Sequence, residues 1–249
     1  ANIDRAEDAA RATEYGSEGI GLFRSEYLYL GRTSAPSEEE QFAEYRKAAE
    51  AVAPKELVIR TADLGADKLP EHMEDTGLRG LAFSLKEEQL FKTQLRALYR
   101  AAEYGNIKLM FPMVNTVTEL SKAVKLCEEV RLELGCRAAV PVGVMIETLE
   151  AVENCAELAK AADFFSIGTN DLYHELTGAG GRDKEIVEDQ SVRETVADMI
   201  EKTVKTAHEK GREVTVCGRM AENARMAERF AGIGVDAVSL PLALIKEKA

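Results

Sequence analysis

Eight short apolar runs recur along the chain, each separated from the next by a longer stretch with helical periodicity, and this alternation limits the fold more than any other feature. The runs fall at 1–3, 19–24, 57–60, 108–113, 142–147, 164–167, 214–217 and 237–240. They are too short for helices and rich in Val, Ile, Leu and Phe, as strands buried on both faces are. Helical segments are predicted at 4–15, after 37–40, and at 87–103, 117–134, 149–161, 192–210 and 221–231. Asp4 is placed to cap the first, and Ser37 with Glu40 opens the second as a capping box. Strand and helix in strict alternation require parallel strands joined by right-handed crossovers, and eight repeats predict a (β/α)8 barrel, a TIM barrel, as a single domain over 1–249. An open doubly wound sheet is the runner-up. No internal repeat or linker divides the 249 residues, a length that one barrel can fill.

The charge balance excludes several functions. Formal net charge is −12 and no run of Lys and Arg exceeds two, so neither a nucleic-acid groove nor a polybasic membrane patch is expected. Any polyanion must be held by local arginines against the global field. No apolar stretch has membrane-spanning length and the opening ANIDRAEDAA has no signal-peptide layout, which predicts a soluble, cytoplasmic protein. Cys127, Cys136, Cys155 and Cys217 lack CxxC spacing, so no disulfide scaffold or zinc site is expected. The first residue is not Met and falls in a strand-like run, from which an excised piece of a longer protein is expected.

In a parallel barrel the site lies where the strands end. The stretch 163–172, DFFSIGTNDL, carries the strongest signal: a buried strand breaks at Gly168 and is followed by Asn170 and Asp171. Other strands end on Arg24, Arg60, Glu147 and Cys217. Two arginines, two carboxylates and a thiol on one rim describe a cradle for an anion beside a hard divalent cation. A guanidinium fork suits phosphate and carboxylate oxygens. Mg²⁺ takes one or two carboxylates and completes its shell with water and substrate oxygens, a role open to Glu147 and Asp171. Asn170 can donate to a phosphate oxygen, and Cys217, before Gly218, can act as a general acid or base. Ordinary alternatives stand beside each role: Arg24 paired with Glu26, Arg60 with Asp63, the two carboxylates with those arginines, Asn170 in a plain turn, Cys217 in packing. The longest loop, 63–80, is of the length that tends to be functional. Of the histidines, His72 is read as solvated, His208 as structural, and His174 as a residue that could face the rim.

Six motifs in order resemble one family. They are GIGLFRSE at 19–26, VIRTADLGADK at 58–68, LMFPMV at 109–114, GVMIET at 143–148, SIGTNDL at 166–172 and VCG at 216–218. They resemble the C-terminal barrel of the phosphoenolpyruvate-utilising enzymes, which include Enzyme I of the sugar phosphotransferase system, pyruvate phosphate dikinase and phosphoenolpyruvate synthase. The segment 34–50 is most similar to Enzyme I. The resemblance implies that Arg24 and Arg60 bind the substrate phosphate, that Arg79 in a GxR pattern is a third active-site arginine, and that Lys68 lies at the same rim. It further implies Glu147 and Asp171 as Mg²⁺ ligands, Asn170 and Arg182 as substrate contacts, and Cys217 as the acid that protonates the enolate carbon. The implied function is a phosphoenolpyruvate- and Mg²⁺-binding half-site that donates a phosphoryl group to a histidine on a separate domain, in cis or in trans, releasing pyruvate.

Several positions depart from the family pattern. Arg219 follows Cys217-Gly218 where an acid is expected, either pairing with Glu147 or Asp171 or adding a phosphate contact. The loop before Arg79 is shorter and lacks its Asn-Pro. Tyr173-His174 replaces Thr-Gln, Ala66 replaces a glycine, Leu149 replaces a proline, and Arg182 is displaced by one residue. The segment after Arg182, which helps to form the Enzyme I dimer, is also shortened, which leaves the homodimer an open expectation. These departures keep two other functions in view: a non-catalytic phosphoenolpyruvate-sensing or scaffold module, and a Mg²⁺-dependent 2-oxoacid lyase on a similar barrel.

Overall fold

The computed structural model describes residues 1–65, 76–178 and 189–246. Eight strands pair in sequence order, all parallel: β1 Asn2–Ile3, β2 Ile20–Arg24, β3 Glu56–Arg60, β4 Asn106–Phe111, β5 Val142–Ile146, β6 Phe164–Gly168, β7 Glu213–Cys217 and β8 Ala237–Ser239. The sheet curls until its ends meet. Asn2 N–H donates to Leu240 O at 2.7 Å, and Asn2 bridges Pro241 in parallel sense. This is the (β/α)8 barrel expected from the alternation, in place of the open sheet.

The pleat sorts the strand residues into two populations, because successive side chains point to opposite faces. Phe23, Ile59, Leu109, Val144, Phe165 and Val216 face outward into the large core shared with the helices. Their neighbours Leu22, Val58, Met110, Met145, Phe164 and Cys217 fill the barrel interior. The floor is closed by Phe164, whose ring occupies the space that a Cβ on Gly143 would enter at 2.4 Å. Lys108 Nζ lies 5.4 Å from the centre of that ring and bridges Glu56 at 2.6 Å and Glu213 at 3.4 Å. Two residues beyond Leu22, Val58 and Met145 stand Arg24, Arg60 and Glu147, so the same pleat turns all three into the upper mouth of the barrel.

The helices follow the predicted segments with instructive exceptions. Ser37 and Glu40 form the expected capping box, and Thr116 with Glu119 forms another at the start of Val117–Glu133. Asp4 does not cap: the first helix, Glu7–Glu14, begins after Ala6 with no side-chain cap, and Asp4 is drawn instead to Arg24. The segment predicted at 87–103 is the helix Glu88–Ala101 with a 3-10 turn at Ala102–Tyr104, and a further helix, Gly80–Lys86, precedes it, so Gly80 starts a helix where a loop end was expected. Helices predicted at 149–161 and 221–231 are interrupted, at Asn154 and Asn223. Thr169–Thr177 is a further helix, ended by Gly178 in left-handed conformation, that strand periodicity did not anticipate.

Candidate active site

At the upper mouth Arg24, Arg60 and Arg79 each already have a carboxylate. Arg24 Nε meets Asp4 Oδ1 at 2.6 Å, in place of the Glu26 expected from the sequence. Glu26 turns instead to Arg60, whose buried guanidinium pairs with its Oε1 and lies 3.8 Å from Asp63. Arg60 Nη1 also contacts Met145 Sδ at 3.4 Å. Arg60 Nε, Glu26 Oε2 and Thr61 Oγ1 are buried without a hydrogen-bond partner among the described residues. Orphaned polar atoms of this kind are costly and rare in folded proteins. Arg79 lies just ahead of the helix that Gly80 begins. Its Nε and Nη2 grip Asp63 Oδ1 and Oδ2 at 2.9 and 2.8 Å, while Nη1 reaches Asp171 at 2.9 Å. Asp63 was a candidate partner for Arg60; its fork goes to Arg79.

Glu147 is 1% exposed and accepts the Met113 N–H at 2.7 Å on Oε1. Met113 achieves this with φ 52°, and Gly80 makes room for it, since a Cβ there would stand 2.6 Å from Met113 Cβ. Burial pushes the Glu147 carboxyl up to about 8, the nearby Asp171 and Asp63 adding to the effect and Arg60 only partly opposing it. Asp171 lies not on the strand but in the first turn of helix Thr169–Thr177, as does Asn170. Asn170 Oδ1 accepts the Arg219 N–H at 2.9 Å, leaving its Nδ2 to donate elsewhere. Gly218, at φ 92°, allows that approach: a Cβ would fall 2.4 Å from Thr169 Oγ1 and 2.9 Å from Asn170 Oδ1. Thr169 Oγ1 in turn donates to Cys217 O at 2.9 Å, tying the helix to the end of β7. The Cys217 thiol is pushed up to about 11 by burial and by Glu147, so it carries its proton at neutral pH.

The structure therefore brings Arg24, Arg60, Arg79, Glu147, Asn170, Asp171 and Cys217 to one mouth. Lys68, Arg182 and His72 lie outside the described residues. His208 pairs with Asp236 at 2.9 Å, the structural role expected of it, and His174 keeps its Nδ1 buried without a partner among the described residues. Sequence reasoning did not foresee Asp4 and Glu26 as the partners of Arg24 and Arg60, or the Met113 amide. A positive φ at a methionine leaves no mark on the sequence. Among the described residues no three His, Cys, Asp or Glu side chains form a metal cage. The pair Glu147 and Asp171 nevertheless fits Mg²⁺, which needs only one or two carboxylates. Two acids held together with too little positive charge around the buried one are what such a cation would neutralise.

Comparison with known proteins gives a consistent set of matches. Residues 1–248 match the model for the PEP-utilising enzyme, PEP-binding domain. A phosphoenolpyruvate-protein phosphotransferase of Bacillus subtilis is 39% identical over 254 residues, covering 96% of this chain and 44% of that protein. A multiphosphoryl transfer protein of Rhodobacter capsulatus is 40% identical over 251 residues, covering 97% of this chain and 30% of that protein. The chain thus spans less than half the length of either relative. Among solved structures, an HpcH/Hpal aldolase/citrate lyase family protein from Burkholderia cenocepacia matches with a TM-score of 0.59 at 17% identity, covering 94% of this chain and 82% of that one. Citrate synthase SbnG matches with a TM-score of 0.58 at 13% identity over 94% of this chain and 81% of its own. At such identities these two share the barrel fold alone.

Proposed function

We propose, from the premise that the chain belongs to the PEP-utilising enzyme family as its PEP-binding domain, that the upper mouth binds phosphoenolpyruvate with Mg²⁺ and donates the phosphoryl group to a histidine on another domain. The observation that carries this reading is the convergence of Arg60, Arg79, Glu147 and Asp171 above a protonated Cys217. Glu147 and Asp171 would hold the cation. When bound, it would neutralise phosphate and carboxylate oxygens of the substrate.

The chain's own residues account for the rest of the chemistry. Arg24, Arg60 and Arg79 are the donors that can share the phosphate charge, and Asn170 offers its Nδ2 as a neutral donor. In transfer, the bond between phosphorus and the enol oxygen breaks as a bond from phosphorus to the histidine nitrogen forms, and the enolate of pyruvate leaves. Such catalysis consists of positioning and charge stabilisation. Cys217, holding its proton at neutral pH, is the source of the proton that the enolate carbon takes to become pyruvate, and water then restores the thiol. Lys68 and Arg182 belong to the same proposal as further substrate contacts. Among the described residues no helix is long and apolar enough to cross a membrane.

The test is calorimetric titration of phosphoenolpyruvate with and without Mg²⁺, followed by transfer of labelled phosphate to a histidine-bearing domain added in trans. Mg²⁺-dependent binding and labelling of that domain are expected. Binding without labelling would refute transfer and leave a sensor; no binding under either condition would refute the site.

A further inference from the structure

Arg79 is gripped unequally at its two ends. The Nε–Nη2 edge is locked in a two-point contact with Asp63, which is 1% exposed, while Nη1 reaches Asp171, a side chain 30% exposed. A two-point, charge-assisted contact to a buried carboxylate holds firmly, whereas an ion pair open to water is weak and easily exchanged. Asp171 is also the carboxylate that the proposed function assigns to the divalent cation. One positive group is therefore already seated on a metal ligand.

We infer that Arg79 is the resident counter-cation of Asp171, displaced when a divalent cation takes that carboxylate, and that Asp63 is the positioning residue that keeps the displaced guanidinium at the mouth. The inference rests on the reading of Asp171 as a metal ligand. Displacement leaves Nη1 without an acceptor while Asp63 still holds the rest of the fork, so the freed donor is presented to an incoming anion. Cation and phosphoacid then assist each other's binding through one side chain, with Arg79 passing from a carboxylate to a phosphate. Without the anion, the same side chain acts as a competitor that weakens binding of the bare metal ion.

The competition gives a signed test. Mn²⁺ binding to the chain, followed by electron paramagnetic resonance without phosphoenolpyruvate, is expected to tighten by about fivefold in Arg79→Gln, the amount that an exposed ion pair is worth. In the same variant the gain in Mn²⁺ affinity on adding phosphoenolpyruvate should shrink. Arg24→Gln removes a charge of the same sign whose partner is Asp4, and its Mn²⁺ affinity should change by less than about twofold. Arg79→Lys keeps the charge but cannot span both carboxylates, and serves if Arg79→Gln fails to fold; it too should bind Mn²⁺ more tightly than the parent chain. Unchanged or weaker Mn²⁺ binding in both Arg79 variants would overturn the exchange, while leaving the metal site standing if the parent chain binds. Equal tightening in Arg24→Gln would also overturn it, since the effect would then be the general field. No Mn²⁺ binding by the parent chain would overturn the metal reading and this inference together.

Discussion

Replacing Glu147 by glutamine should stabilise the ligand-free protein, and by more as pH rises. The carboxyl sits 1% exposed, with its ordinary value of 4.5 pushed up to about 8 by burial and by the proximity of Asp171. The sign follows from linkage: a carboxyl that binds its proton more tightly in the folded state costs nothing below its unfolded value, and stability falls as pH rises from there to the folded value. At about 1.4 kcal/mol per pH unit between the two values, the stability lost through Glu147 is about 2 kcal/mol near pH 6, where the folded protein still keeps the proton, and on the order of 5 kcal/mol above pH 8. Glutamine keeps an oxygen for the Met113 N–H, which now binds Oε1 at 2.7 Å, and removes the charge. Urea unfolding at pH 6 and pH 9, in chelator to exclude divalent cations, should therefore show a stability advantage for Glu147→Gln that widens by about 2–3 kcal/mol between them. Added Mg²⁺ should narrow the difference at pH 9 by stabilising only the parent. A variant less stable than the parent at pH 9, or one whose advantage is the same at both pH values, would refute the view that Glu147 is an under-neutralised buried carboxylate.

Two further outcomes follow, one from Gly218 at the end of β7 and one from the buried thiols. Gly218→Ala places a Cβ 2.4 Å from Thr169 Oγ1 at φ 92°, a conformation that side chains rarely adopt, and should lower unfolding stability by about 2–4 kcal/mol; a loss under about 0.5 kcal/mol would show that the helix Thr169–Thr177 can move away freely. Burial pushes the Cys127 thiol up to about 12 and Cys155 and Cys217 up to about 11, so iodoacetamide at pH 7.5 should leave these three unmodified in native protein while labelling them in urea; mass spectrometry showing rapid native labelling of Cys217 would contradict the proposal that it serves as a protonated acid.

What could be read from the sequence was set by local physics. The period-two pleat places Arg24, Arg60 and Glu147 two residues beyond the interior residues Leu22, Val58 and Met145, so finding where each apolar run stops was enough to find the mouth of the barrel. Asn170 and Asp171 were located by the same rule, although their helix was not, because SIGTNDL ends its apolar run before its polar residues show any helical period. Partner choice was beyond that reasoning. Arg24 takes Asp4, twenty residues away, in preference to the nearby Glu26, and Asp63, still 3.8 Å from Arg60 as expected, gives its two-point contact to Arg79. Which acid an arginine selects depends on how separate strands and loops meet above the barrel, and sequence distance does not record it. The breaks at Asn154 and Asn223 escaped because a single Asn within a helical run does not by itself mark a stop, yet the Asn223 side chain accepts the Met226 N–H and so opens a new helix.

On the proposed function, the charge arrangement at the mouth also bears on the order in which cation and phosphoacid would be accommodated. Among the described residues and before Arg219 is counted, Arg24, Arg60 and Arg79 stand with Asp4, Glu26, Asp63, Glu147 and Asp171, three positive charges with five negative when all are ionised. A phosphoacid approaching such a set alone would meet arginines whose charge is already spent on carboxylates and an excess of like charge behind them. The protein by itself reduces that excess by keeping a proton on Glu147, which is the meaning of a carboxyl value pushed up to about 8. A divalent cation would offset the excess among these groups. Its arrival favours ionised Glu147, so cation uptake at neutral pH is coupled to release of that proton. It also frees the arginine charge held by Asp171. On that reading anion binding would depend on the cation for two separate reasons, field and exchange, and only the second would pass through Arg79. In Arg79→Gln the first survives, so some Mg²⁺ dependence of phosphoenolpyruvate binding should remain even where the mutual assistance through that side chain is lost.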